Sequence, residues 1–229
     1  MQKLFYLLFD DPAVSGTKLR EAICGSAVPA MLASGARGIS VFANDEEVAK
    51  GLHTVRRCDP PIRAMVSFWL EDAAERAASE QALSAHVQGI AGYLVVESRP
   101  MTHPRPQGAR TEGMKQITCI GRRKDLSFEE FSRIWFGDHC QVAIETQSSF
   151  GYVRNEIFRV LTPGAPTHWH GFVEESFPMA ALTDLKVFYN NVQTDEELQA
   201  NLKRMMDSCE RFLDPEVMEV TYVSEYFMG

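Results

Sequence analysis

Apolar and polar positions alternate along this chain in one order that occurs twice. The run "KLFYLLF" (Lys3–Phe9) is apolar on both strand faces and stops at Asp10–Asp11–Pro12, as a buried strand does. A helix is predicted from about Thr17, then strands over Gly38–Asn44 and Ile62–Asp72, an Ala/Glu-rich helix over Ala73–Val87, and a strand over Gly92–Ser98. The order returns with a strand over Lys115–Arg123, a helix from Ser127, and strands over Gly151–Val160 and His170–Phe177. A helix over Glu196–Leu213 and a last strand over Val217–Phe227 complete it.

Between the two sets, Pro100, Pro104, Pro106, Gly108 and Gly113 interrupt regular structure. The chain is therefore expected to divide into a first half at 1–98, a linker at 99–114 and a second half at 115–229. Each half reads βαββαβ, the ferredoxin-like order. An offset of 112 residues lays Lys3 on Lys115, Leu19 on Phe131, Ile23 on Trp135 and Gly25 on Gly137. A four-stranded sheet with helices on one face leaves the other bare, and two such sheets packed face to face bury both. The expected fold class is α+β, two fused ferredoxin-like halves.

The helix from Ser127 carries the candidate chemistry. "SFEE" (Ser127–Glu130) is a capping box, with the serine accepting the N3 amide and Glu130 returning to the cap. At about 100° per residue, Phe128, Phe131, Trp135, His139 and Val142 share one stripe. An imidazole on an aromatic face is either a core histidine hydrogen-bonded within the protein or a proton carrier beside an apolar pocket. Burial disfavours its charged form, and Asp138 or another carboxylate nearby would restore it. At the same offset the first half has Ala27, so one half is expected to carry chemistry and the other to be scaffold.

The string "LSFEEFSRIWFGDHCQVAIE" (Leu126–Glu145), followed by "GYVRNEI" (Gly151–Ile157), "GFVEESF" (Gly171–Phe177) and "CERFLD" (Cys209–Asp214), resembles an EthD-type domain over about Lys115–Phe227. The first half lacks the W-x-x-x-H element and reads as a degenerate copy. The resemblance implies a dimeric α/β barrel, here formed within one chain. Relatives of that fold include cofactor-free isomerases, polyketide cyclases and decarboxylases, metal-free monooxygenases and haem-handling proteins, and fold alone does not choose among them.

Other groups are weaker. His168 and His170 in "THWHG" stand at i and i+2, on one side of a strand; H-x-H seeds a metal site only with a third ligand, and none is visible. They either border the pocket of His139 or lie exposed. Tyr152 and Arg154 share one face of their strand and Val153 and Asn155 the other. Tyr152 or Asn155 would polarise a substrate oxygen, or Tyr152 simply packs under the helix. Glu174 matches the strand glutamate of the EthD pattern and is either a buried base or the partner of Arg154. There is no P-loop, G-x-G-x-x-G, G-x-S-x-G or H-E-x-x-H motif.

Composition narrows the partners. The 229 residues are 45% hydrophobic and 24% charged, with a formal charge of −8, so no basic face for nucleic acid is expected. The longest N-terminal apolar run is too short for a membrane span. Five widely spread cysteines without a CxxC pair fit a reducing cytoplasm.

The expected function is a lyase or isomerase of aromatic-compound catabolism that uses no cofactor or metal. His139 would act as general acid/base, with Tyr152 or Asn155 holding an oxygen. Phe131, Trp135, His168, His170 and Glu174 would line the site of a hydrophobic aromatic or ketide-like molecule. The alternatives are a non-catalytic binding or accessory protein and a haem protein with a histidine ligand. Either a monomer, in which the halves form a pseudo-dimer, or a homodimer is compatible with the sequence.

Overall fold

The structure is a computed structural model that describes residues 1–51 and 54–229. Its first half contains β1 (Gln2–Phe9), α1 (Gly16–Ala22), α2 (Val28–Ala33), β2 (Arg37–Ala43), β3 (Ile62–Leu70), α3 (Ala77–Ser84) and β4 (Gly89–Met101). The second contains β5 (Met114–Ile120), α4 (Phe128–Ile134), α5 (Cys140–Thr146), β6 (Gly151–Val160), β7 (Gly171–Phe177), α6 (Leu185–Phe188), α7 (Asp195–Glu210) and β8 (Glu219–Phe227). The strand β4 runs on through Arg99 and Pro100 to Met101, where the sequence placed the start of the linker. Its pairing with β6 extends to Met101 and holds those residues extended.

The eight strands close into one barrel in the order β1-β3-β2-β8-β5-β7-β6-β4. The halves are therefore not two separate layers. Each sheet joins the other at both edges, β2 with β8 and β4 with β6, which leaves no strand edge unpaired. This is the dimeric α/β barrel, with both halves supplied by one chain.

Period-2 alternation divides every strand between the barrel interior and an outer, helix-covered face. On β1, Phe5 and Leu7 enter the interior cluster with Phe42, Met65, Tyr93 and Phe172. Leu4, Tyr6 and Leu8 face outward against Leu19, Ile23 and Met31 of the helical layer. One end of the interior is polar: Lys3 meets Glu97, Asn155 and Glu174, while Lys115 meets Glu174 at 3.1 Å and Glu225 at 3.0 Å. Buried charges persist there because each has an opposite charge and a hydrogen bond.

The repeat is exact where it matters. Each half interrupts its first helical layer with one π-helical turn, Ile23–Ala27 in the first and Trp135–His139 in the second, at the 112-residue offset. In the second half the turn contains a kink at Gly137 (φ −98°, ψ −111°).

Candidate functional site

The two halves differ in what lies under these turns. In the first half Leu4 stands opposite Phe68 and is flanked by Tyr6, and all three are buried in the outer core. At the same positions the second half has Gln116 opposite Glu175, flanked by Thr118. Two apolar side chains and a tyrosine, whose hydroxyl donates to Glu80 at 2.9 Å, give way to three small or medium polar groups. Above them lies a cavity of about 360 Å³.

The polar floor is linked. Gln116 Nε2 donates to Glu175 Oε2 and to Thr118 Oγ1, each at 3.3 Å. Burial pushes the Glu175 carboxyl up to about 7, with the Gln116 bond opposing that rise. Apolar side chains from α6, α7 and β8 complete the walls, among them Phe188, Leu202, Met205 and Val220. Val55, from the β2–β3 connection of the first half, bridges Val220 and lines the same cavity.

The capping box at Ser127 and Glu130 starts α4 and sets the phase of its stripe. The π-turn then brings Trp135 and His139 to the cavity. His139 is only 6% exposed, and its Nδ1 lies 3.0 Å from Ser208 Oγ of α7, leaving Nε2 as the other ring nitrogen. Burial, then the charges of Arg211 and Arg154, pull its pKa down to about 4. The imidazole is neutral at pH 7. Asp138 does not restore its charge: that carboxylate pairs with Arg211 at 2.9 Å at the surface. The adjacent π-turn residue thus points away from the ring it was expected to support.

Tyr152 lines the cavity from β6, directly across the ladder from Glu175. Burial, with the nearby Glu175 charge, raises its phenol well above the ordinary value, so it stays protonated as a donor. The Trp135 indole N–H approaches that hydroxyl without completing a hydrogen bond, and is buried without a partner among the described residues. So is Gln147 Oε1, on another residue of the cavity wall. A buried donor and a buried acceptor left open beside a void are what a polar ligand atom would satisfy. The Cys209 thiol, also in the wall, is pushed up to about 12 by burial and by Glu175 and is no nucleophile.

The structure separates the remaining predicted residues from this cavity. Phe131 is fully buried behind the wall, packed on Trp135, Phe212 and His170 with ring centroids 5.5–5.6 Å apart. Asn155 and Glu174 belong to the barrel interior, on the other face of the sheet: Asn155 Nδ2 donates to Glu174 Oε1 at 2.9 Å and Asn155 Oδ1 accepts from Lys3 at 2.8 Å. Burial raises the Glu174 carboxyl, but Lys115 and Lys3 outweigh it and hold the group below its ordinary value. Arg154 is not its partner; it bonds Ser98 Oγ and the Phe136 carbonyl and stacks over the Phe136 ring. His168 and His170 precede β7 rather than lying on it; His168 is exposed beside Trp169, and His170 Nδ1 accepts from the Arg122 amide at 3.1 Å. Neither lines the cavity.

Glu175, Gln116 and Thr118 were missed in the sequence. The signal that finds them is the repeat itself: at the 112-residue offset, Leu4 and Tyr6 of a buried strand become Gln116 and Thr118.

No protein-family model matches the chain, and no curated protein matches it. Solved structures do. An anthrone oxidase-like protein superposes with a TM-score of 0.57 at 10% identity, covering 100% of this chain and 93% of that one. A dye-decolorizing peroxidase from Bacteroides thetaiotaomicron superposes with a TM-score of 0.50 at 8% identity, covering 98% and 93%. At such identities the likeness shows the fold alone. The chain has the fold of the dimeric α/β barrels, closed here by a single polypeptide.

Proposed function

We propose that this chain is a cofactor-independent lyase or isomerase of the EthD type. It would bind a hydrophobic, aromatic or ketide-like molecule in the second-half cavity and move a proton on it. The observation that carries the reading is the polar floor of Gln116, Thr118 and Glu175 beneath an otherwise apolar cavity, where the first half has Leu4, Tyr6 and Phe68. The EthD-like string from Leu126 to Asp214 supports it.

The chemistry divides between two groups. Glu175, poised near pH 7, takes a proton in its ionised form from a carbon beside a carbonyl or phenol. The electron pair of that C–H bond moves into the carbon framework, and negative charge gathers on the oxygen. Neutral His139 and the Tyr152 hydroxyl hydrogen-bond that oxygen, as a neutral imidazole paired with a carboxylate base does in other enolising sites. Return of the proton to a different carbon gives an enol shift; loss of carbon dioxide or ring closure from related intermediates gives decarboxylation or cyclisation. General acid–base help of this kind contributes about 10²–10⁴ in rate. In this reading His139 serves as a hydrogen-bond donor and Glu175 as the base.

A haem reading is not supported by the residues. Those described in the cavity wall include no lysine or arginine to meet haem carboxylates. Among the described residues no group of three His, Cys, Asp or Glu could hold a metal ion. No helix among them is long and apolar enough to cross a membrane.

The test is untargeted mass spectrometry of small molecules that co-purify with the protein. An apolar molecule bearing a carbonyl or phenol should be retained by the wild type and released chemically changed on incubation. A ligand released unchanged favours the accessory-protein reading, and no retained ligand contradicts both.

A further inference from the structure

Around Val96 and Phe158 the barrel seam between β4 and β6 has an outer face that the helices leave bare. Phe158 is 72% exposed, the most exposed large apolar side chain among the described residues, and Val96 beside it is 57% exposed. The ladder explains its prominence. Val95 pairs with Ile157 and Leu94 with Arg159, so the register slips there and Phe158 is the extra residue of a bulge. Phe158 stands at the edge of an open groove of about 400 Å³ that Met1, Trp69, Leu94 and Val96 line on its apolar side and Gln2, Lys3 and Glu97 on its polar side. An exposed apolar knob beside a groove with an apolar side is the kind of surface that marks a protein–protein contact.

The charges flanking the knob are of opposite sign and unused. Glu156, opposite Val96, makes no ion pair or hydrogen bond with a described side chain, although partial burial raises its carboxyl above the ordinary value. Arg159, opposite Leu94, likewise makes no ion pair. Other surface arginines do find a carboxylate, as Arg123 does in Asp125 and Arg204 in Glu145.

We infer that this seam is a homodimer interface, in which a second copy of the chain docks by a twofold axis beside Phe158. A twofold contact places the same patch on both sides, so it demands a self-complementary surface. Here the axis sets Phe158 of each copy into the groove of the other. It also sets Glu156 of each copy against Arg159 of the other, forming two symmetric ion pairs around an apolar centre. The interface lies on β4 and β6, and its outer face is distinct from the helix-covered cavity. The inference stands whether or not the cavity is catalytic.

Sedimentation velocity of the full chain at micromolar concentration tests it. The wild type should run as a dimer, and Phe158→Glu as a monomer with unchanged circular dichroism. Glu156→Arg alone brings like charges together at both pairs and should also give monomer; Glu156→Arg with Arg159→Glu should restore the dimer. A monomeric wild type, a dimeric Phe158→Glu, or a double exchange that fails to recover the dimer would each overturn the inference.

Discussion

Glu174 and Glu175 are neighbours on β7 whose carboxylates occupy opposite electrostatic worlds. Glu174 enters the barrel between Lys3 and Lys115 and is held ionised. Glu175 faces the helix layer, has one neutral hydrogen-bond partner in Gln116, and is pushed up to about 7. One peptide step separates a carboxylate held between two lysines from one that burial pushes up, because successive side chains on a strand point to opposite faces.

The two glutamates should therefore respond differently to removal of charge. Glu175→Gln should lower turnover about 10²–10⁴-fold while leaving the fold intact. Glu174→Gln removes the charge that Lys3 and Lys115 share but leaves them Glu97 and Glu225, and should cost about 1–3 kcal/mol of stability, with ligand binding retained by the folded fraction. Urea midpoints and ligand binding on both variants separate the roles.

The pH dependence of stability follows from two opposed shifts. Glu175 has a folded pKa raised from 4.5 to about 7, so its protonated form stabilises the fold fully below 4.5, and that contribution is lost as pH rises through 7. His139 has a folded pKa lowered from 6.5 to about 4, so its contribution is present above 6.5 and is lost as pH falls through 4. Each is worth roughly 3 kcal/mol at full extent, and between 4.5 and 6.5 they oppose each other. His139→Gln should unmask a stability that falls with rising pH, and Glu175→Gln one that rises with it. Denaturant titrations from pH 4 to 7.5 would show parallel curves if neither group is shifted.

Much of the architecture was legible because local signals agreed. The capping box at Ser127 marked α4, and the apolar runs marked the eight strands. The phase of β7 was not legible. In "GFVEESF" every residue is buried, since the barrel interior lies on one side and the helix layer on the other. Without an exposed face, alternation cannot say which glutamate faces the cavity. Asn155 was misplaced for the same reason. His168 and His170 were misread because β7 starts at Gly171, one residue later than the apolar pattern suggests. The offset between halves was legible and puts Ala27 at the place of His139; the matching π-turns around both were not, and only the structure shows them.

Gly171 shows how tightly Trp135 is set. A Cβ there would sit 2.3 Å from the far edge of the indole ring. Gly171→Ala should displace Trp135, cost about 1–3 kcal/mol through overpacking and alter tryptophan emission. An unchanged midpoint and spectrum would show that the ring has room to move.

The halves invite an exchange of their floors. Gln116→Leu, Thr118→Tyr and Glu175→Phe together reproduce the first half's Leu4, Tyr6 and Phe68. The triple variant should melt higher than the wild type, because side chains fill the cavity and the buried Glu175 carboxyl is gone, and should lose ligand binding. Calorimetric melts with and without ligand test both effects.

The central claim, that Glu175 moves a proton on a molecule held in the second-half cavity, is tested most directly by isotope exchange. The protein is incubated in D₂O with a panel of enolisable aromatic ketones, and mass spectrometry counts the deuterium entering each. The account predicts that the wild type incorporates deuterium beside the carbonyl and that Glu175→Gln and the triple floor variant do not. Equal incorporation by wild type and Glu175→Gln, or none for a ketone shown to be bound, would contradict it.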